Sequence, residues 1–157
     1  LEGTTQNSRA WREQVDEWWA DRLQMPHLTP RWVLQYWGTE VARKNFHNDI
    51  WVASVENKLR NTNDNVVITD CRFKNEVDAI KKAGGMTLRI ERGVQPNWLN
   101  FATDYNITQN PQALAELIDQ NIHASEYSSV GLKYDHMVDN NKTIDDLHKN
   151  IQSIINL

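Results

Sequence analysis

The segment from Val66 to Glu91 constrains the fold more than any other part of the chain. Val66-Val67-Ile68 is a continuous β-branched run bounded by polar residues, the pattern of a short strand covered on both faces. Residues 75–83 follow with helical character, and Gly84-Gly85 supplies the left-handed stop that commonly ends a helix. Met86, Leu88 and Ile90 then alternate with Thr87, Arg89 and Glu91, the period-two signature of a second strand. Strand, helix and strand in that order make a right-handed parallel unit. The predicted class is α/β, with a small parallel sheet flanked by helices.

Upstream of this unit the chain reads as helical. Residues 8–22 carry Trp11, Val15, Trp18 and Trp19, with Leu23 beyond, at intervals of one helical stripe, and Pro26 closes the segment. The chain holds 7 tryptophans, and Trp11, Trp18, Trp19, Trp32, Trp37 and Trp51 all fall in its first third. Their spacing favours packing between helices over a surface for stacking on other rings. Thr29-Pro30 pairs a hydroxyl cap with a first-turn proline and opens a helix running to about residue 44. Asp49 is placed to cap a further helix over 50–60, and residues 61–65 form a polar loop.

Downstream, the chain reads as irregular from Gly93 through Asn106. Asn110-Pro111 repeats the cap-plus-proline start and opens a helix to about residue 121. Met137-Val138 is a short last strand, and Thr143-x-x-Asp146 resembles a capping box at the head of a final helix. There is no internal repeat, so the expectation is a single domain over residues 1–157.

Composition removes several function classes. Lys+Arg number 17 against Asp+Glu 21, a formal net charge of -4, which argues against nucleic acid as a partner because phosphate backbones need a basic face. No apolar run approaches the ~20 residues of a membrane span, so no membrane association is expected. Cys71 stands alone and cannot form an internal disulfide, which favours a reducing, cytoplasmic compartment. The 5 histidines show no paired ligand spacing, which argues against structural zinc.

Three stretches could carry chemistry. Asp70-Cys71-Arg72-Phe73-Lys74-Asn75-Glu76 lies directly after the first predicted strand, and open parallel sheets bind ligands beyond the carboxyl ends of their strands. An aspartate there can hold magnesium, and Arg72 offers a planar fork suited to phosphate or a base edge. Equally, Asp70 and Arg72 could pair with each other while Asp70 or Asn75 caps the next helix. Arg31, Gln35 and Thr39 recur at i, i+4 and i+8, so one helical face would present a cation, an amide and a hydroxyl. The alternative is a solvated face with Glu40 paired to Arg43 or Lys44. Gly38 within that helix costs roughly 1 kcal/mol relative to alanine and asks for a close approach by a ligand or neighbouring backbone. The third stretch, His123-Ala124-Ser125-Glu126, reads first as a helix start.

Taken in order, Thr29-Pro30-Arg31, Gln35-x-x-Gly38-Thr39-Glu40, Asp49-Ile50-Trp51, Asp70-x-Arg72-Phe73-x-Asn75-Glu76, Gly84-Gly85, His123-Ala124-Ser125-Glu126 and Asp135 with Asn140 and Thr143 resemble the deoxynucleoside monophosphate kinases of tailed bacteriophages. The resemblance extends over roughly Leu1 to Leu157 and is strongest from Thr29 to Arg92. It implies a P-loop nucleoside monophosphate kinase fold that moves the γ-phosphoryl of ATP, with Mg2+, onto deoxynucleoside monophosphates in the host cytoplasm. It places Arg31, Gln35, Gly38, Thr39 and Trp51 on the monophosphate side, together with Glu76 as a substrate-binding residue. It makes Asp70, Arg72 and Arg92 the catalytic set, with Asp70 at the metal. It assigns a lid to about residues 93–134 and puts Asn140 and Thr143 near the adenine of ATP.

The chain departs from that family in one respect. The family opens with a strand and a glycine-rich loop, G-x-x-x-x-G-K-[ST], that cradles the ATP phosphates, and these 157 residues contain no Gly-Lys-Ser/Thr. Leu1 aligns with the interior of the family's sequence. The expectation is therefore a chain with the first strand and P-loop absent, supplying mainly acceptor site and lid, and dependent on a partner segment or a homo-oligomer for activity. The competing expectation is a non-catalytic nucleotide-binding or protein-interaction module that docks through the tryptophan-rich helix.

Overall fold

A computed structural model describes residues 6–155. The elements are α1 (Gln6–Glu13), α2 (Glu17–Leu23), α3 (Pro30–Gln35), a π-helical segment (Tyr36–Phe46), α4 (Ile50–Leu59), α5 (Lys74–Lys82), β1 (Leu88–Glu91), α6 (Trp98–Thr108), α7 (Pro111–Asp119), α8 (Ala124–Tyr127), β2 (His136–Asp139) and α9 (Ile144–Ile155). They group into two compact units, Leu1–Thr62 and Asn63–Leu157. No described helix is long and apolar enough to cross a membrane.

In the first unit the tryptophan-rich stretch is two helices, not one. Asp16 interrupts it: its Oδ1 accepts the Trp19 N–H at 3.2 Å as the cap of α2, and its own N–H bonds to the Leu28 carbonyl at 3.0 Å. With the run broken there, the expected packing stripe does not form. Trp11 is 50% exposed, Trp18 64% and Trp19 49%, while Ala20 is the buried residue of α2. The Thr29-Pro30 start holds, with Thr29 Oγ1 accepting the Trp32 N–H at 3.0 Å. That helix does not continue regularly to residue 44, because from Tyr36 to Phe46 it widens into π geometry.

The second unit holds a two-stranded parallel sheet, β1 beside β2, in register Leu88 to His136 through Glu91 to Asp139. The expected strand at Val66-Val67-Ile68 is not formed. None of the three makes a ladder with another described segment, and Val67 is 83% exposed. β-branched composition favours a strand only where a neighbour supplies ladder hydrogen bonds and cover. The parallel partner of β1 is the predicted last strand instead, reached through α6–α8. The stretch after Gly93 expected to be irregular through Asn106 instead holds most of α6, whose Ala102 is fully buried against Leu117 of α7 and Val130. The stretch expected to act as a lid thus contains a hydrophobic core cluster of this unit.

Local chemistry accounts for the boundaries of the other elements. Gly84, at φ +79°, ends α5, with its N–H on the Lys81 carbonyl at 3.0 Å and the Gly85 N–H on Ile80 at 2.9 Å. This is the paired bonding of a Schellman stop. Asn110 caps α7 through its side chain, 3.0 Å from the Gln112 N–H. Thr143 and Asp146 form the reciprocal box at the head of α9: the Thr143 hydroxyl donates to Asp146 at 2.6 Å and accepts the Asp146 N–H at 3.2 Å.

One carboxylate joins the two strands at their start. Asp135 Oδ2 accepts both the N–H and the hydroxyl of buried Thr87, at 2.8 and 2.7 Å, and Lys81 lies 3.8 Å from its other oxygen. The Thr87 bonds hold the Asp135 carboxyl below the usual carboxylate range, hydroxyl first and backbone second. A lowered folded-state pKa means stability that is present above the unfolded value of 3.8 and is lost as pH falls through the folded value. Asp135→Asn should therefore lower the melting temperature at neutral pH and flatten its fall as pH drops below the unfolded value of 3.8. Thermal melts of both proteins from neutral pH to below that value are the measurement.

Candidate functional site

The site is built around the approach to α5. Glu76, in the first turn, turns its carboxylate back so that Oε2 accepts the N–H of Phe73 at 3.0 Å and of Arg72 at 2.7 Å. That satisfies donors which a helix start leaves open and fixes the backbone of Arg72. Neither Asp70 nor Asn75 does this capping. Asp70 is exposed, with no bonding partner among the described residues. It does not pair with Arg72.

The Arg72 guanidinium goes elsewhere. Its Nη1 lies 3.1 Å from Oε1 of Glu126, 54 residues along the chain. Glu126 sits on the single turn α8, whose start is capped by His123. The His123 Nδ1 accepts the Ser125 N–H at 3.2 Å and lies 2.8 Å from the Ser125 hydroxyl, as the helix-start reading of that stretch expects. Asn106 of α6 anchors the far end of the turn by donating to the carbonyls of Tyr127 and Val130 at 2.7 and 2.8 Å. The fold thus brings the 70–76 and 123–126 stretches into direct contact.

A second concavity lies where open parallel sheets bind ligands, at the carboxyl ends of β1 and β2. It is an open depression of about 310 Å3, lined by Glu91, Gly93, Gln95, Met137, Val138, Asp139 and Asn141. Its rim is tied together: the Asn140 N–H bonds to the Glu91 carbonyl at 2.8 Å, and Asn141 Oδ1 accepts the Gly93 N–H at 2.7 Å. Of the two residues expected near adenine, Asn140 stands at this rim through its backbone. The Thr143 hydroxyl is engaged by Asp146, whose carboxyl those Thr143 bonds hold low. Arg92 is exposed, directly after β1. Asp139 and Asn141, one and three residues past the predicted strand Met137-Val138, read from the sequence as an ordinary polar turn unless the strand edge lines a pocket, and both line this one.

The expected ligand face of the first unit is not assembled as the spacing suggests. Thr39 is buried at 6% exposure, Gln35 is half-buried, and Arg31 is exposed with its Nη1 3.6 Å from Glu13. The physical reason is the π geometry, since i→i+5 bonding ends the alignment of residues four apart. Gly38 and Trp51 do meet: the Trp51 indole donates to the Gly38 carbonyl at 3.0 Å. A Cβ on Gly38 would nevertheless meet nothing within 4 Å, so close approach does not explain that glycine. Glu40 pairs with Lys44 at 2.7 Å. Buried Arg43 donates to the Asn48 carbonyl at 2.8 Å. Among the described residues, no three potential metal-ligating side chains cluster.

Comparison with known proteins yields an alignment to a protein of Acanthamoeba polyphaga mimivirus named "Putative deoxynucleotide monophosphate kinase", 31% identical over 142 residues. The similarity is to a protein named for nucleotide phosphorylation. It takes in 81% of this chain, which spans 61% of the viral protein's length. No family model and no solved structure matches the chain.

Glu76 is the side chain on which the Arg72 backbone depends. Glu76→Ala should lower stability by about 1 kcal/mol, the usual worth of a helix cap. Chemical denaturation of the two proteins measures it.

Proposed function

We propose that this chain forms the acceptor and lid portion of a deoxynucleoside monophosphate kinase, in which the ATP γ-phosphoryl passes to a deoxynucleoside monophosphate. The observation that carries this reading is the contact between Arg72 and Glu126, which joins the stretch whose arginine suits phosphate to the one that the resemblance places in the lid. The similarity to the viral protein supports it.

In this reading Arg72 receives the acceptor phosphate and exposed Arg92 supplies further positive charge. Both act on a reaction whose transition state is stabilised mainly by positioned charge. Magnesium is held at nucleotide sites by one or two carboxylates together with substrate phosphates and water. A single accessible carboxylate such as Asp70 fits that need, and the ion, when bound, neutralises charge on the transferring phosphates. Trp51, Gly38, Gln35, Thr39 and Arg31 are taken as the base and sugar side, with Glu76 as the support of the phosphate side. Asn140 and Thr143 mark the strand-end depression as the adenine side. The residues described contain no glycine-rich cradle for the ATP phosphates, so the reading assigns that function to a segment outside these 157 residues or to a partner chain.

The test is ADP formation by the full-length gene product with ATP, Mg2+ and each of the four common deoxynucleoside monophosphates in turn. At least one should be phosphorylated, and Arg72→Ala should lower turnover by about 100-fold or more, as expected when one charge-stabilising donor is removed. Absence of turnover with all four overturns the reading.

A further inference from the structure

Glu126 touches Arg72 at one particular nitrogen, and that choice matters. In a guanidinium, Nη1 lies on the same side as Cδ, so Nε–H and Nη2–H together form the side-on fork that grips an oxyanion with two parallel bonds. The contact from Glu126 Oε1 is to Nη1, at 3.1 Å. Among the described residues nothing else bonds to this guanidinium, so the Nε–Nη2 edge is open. At its other end the Arg72 backbone is fixed by Glu76. The side chain is therefore tethered at its root and at one terminal nitrogen, which leaves few orientations for the remaining edge.

From this we propose that Glu126 is a positioning residue: it aims the open fork of Arg72 at a phosphate monoester. The inference rests on Arg72 being the phosphate-binding residue in the proposed function, and it adds the device that orients it. Several features of the fold serve that role. Glu126 sits on a turn capped by His123 and held by Asn106, so its carboxylate has a defined place. The pair is partly exposed, with side-chain exposures of 50% for Arg72 and 37% for Glu126. Such an ion pair adds little stability by itself, so loss of Glu126 should act on orientation far more than on folding. A bidentate grip needs the fork immobile before the anion arrives, because ordering a long side chain on binding weakens affinity.

The experiment uses the 157-residue chain and two probes, inorganic phosphate and a deoxynucleoside monophosphate, followed by calorimetry. Wild type should bind the monophosphate. Glu126→Ala should weaken binding of both probes by about fivefold or more with little change in melting temperature. Glu126→Gln keeps an oxygen acceptor and should restore most of that affinity, which a purely electrostatic role would not allow. Arg72→Lys keeps the charge but not the fork, and should bind as weakly as Glu126→Ala. If either Glu126 variant binds more tightly than wild type, Glu126 competes with the anion and the proposal is overturned. It is overturned likewise if Glu126→Ala binds as wild type does, or if wild type binds neither probe. Glu126-dependent phosphate binding by this chain, with no phosphorylation by the full-length product, supports the fork and sinks only the kinase reading.

Discussion

The second unit depends on a pairing made before its sheet begins. Asp135 takes both donors of Thr87 with one oxygen, while the Asp135 and His136 N–H groups both return to the Thr87 carbonyl, at 3.0 and 3.1 Å. That exchange sets the register of β1 against β2. Parallel pairs are slightly weaker per residue than antiparallel ones, and this sheet has two strands of four residues each. A charge-assisted clamp at its start compensates for how little ladder there is. The strand-end depression and the first residue of α9 inherit their positions from it.

Legibility in the sequence followed the range of the interactions. Thr29-Pro30, Asn110-Pro111, Gly84-Gly85 and Thr143-x-x-Asp146 are settled within one turn of chain, and each element boundary they imply is present. Val66-Val67-Ile68 failed because a strand exists only with a neighbour, and no residue pattern within the run states where that neighbour is. The helix α6 was missed for the opposite reason. Its Ala102 is fully buried, and Leu99, Phe101 and Tyr105 are partly buried, against α7 and the turn after α8, so packing rather than a visible start signal makes it. Arg72 was identifiable as a candidate from its place after an apolar run, but Glu126, 54 residues away, was not identifiable as its partner.

The first unit shows how one side chain can redirect a pattern. The tryptophan spacing is helical throughout, yet Asp16 captures a backbone N–H and divides the run. A second departure follows at Tyr36, where the helix widens and carries Thr39 inward. Helix periodicity is present in both places, but it presupposes an uninterrupted turn of constant pitch, which neither segment keeps. Trp51 survives as a candidate because its bond to Gly38 depends on tertiary contact between α4 and the π segment rather than on pitch.

The distance in chain between Thr87 and Asp135, 48 residues, has a consequence for how the molecule comes into being. Closing so long a loop costs entropy before any ladder bond returns it, whereas α6 and α7 meet across a two-residue link, Gln109 and Asn110. The helical pair can form early and bring the two strands near each other, and the parallel pair closes afterwards. A nascent chain would accordingly own a hydrophobic core well before it owned a strand-end depression. The strand-end depression is thus a late part of the molecule to form.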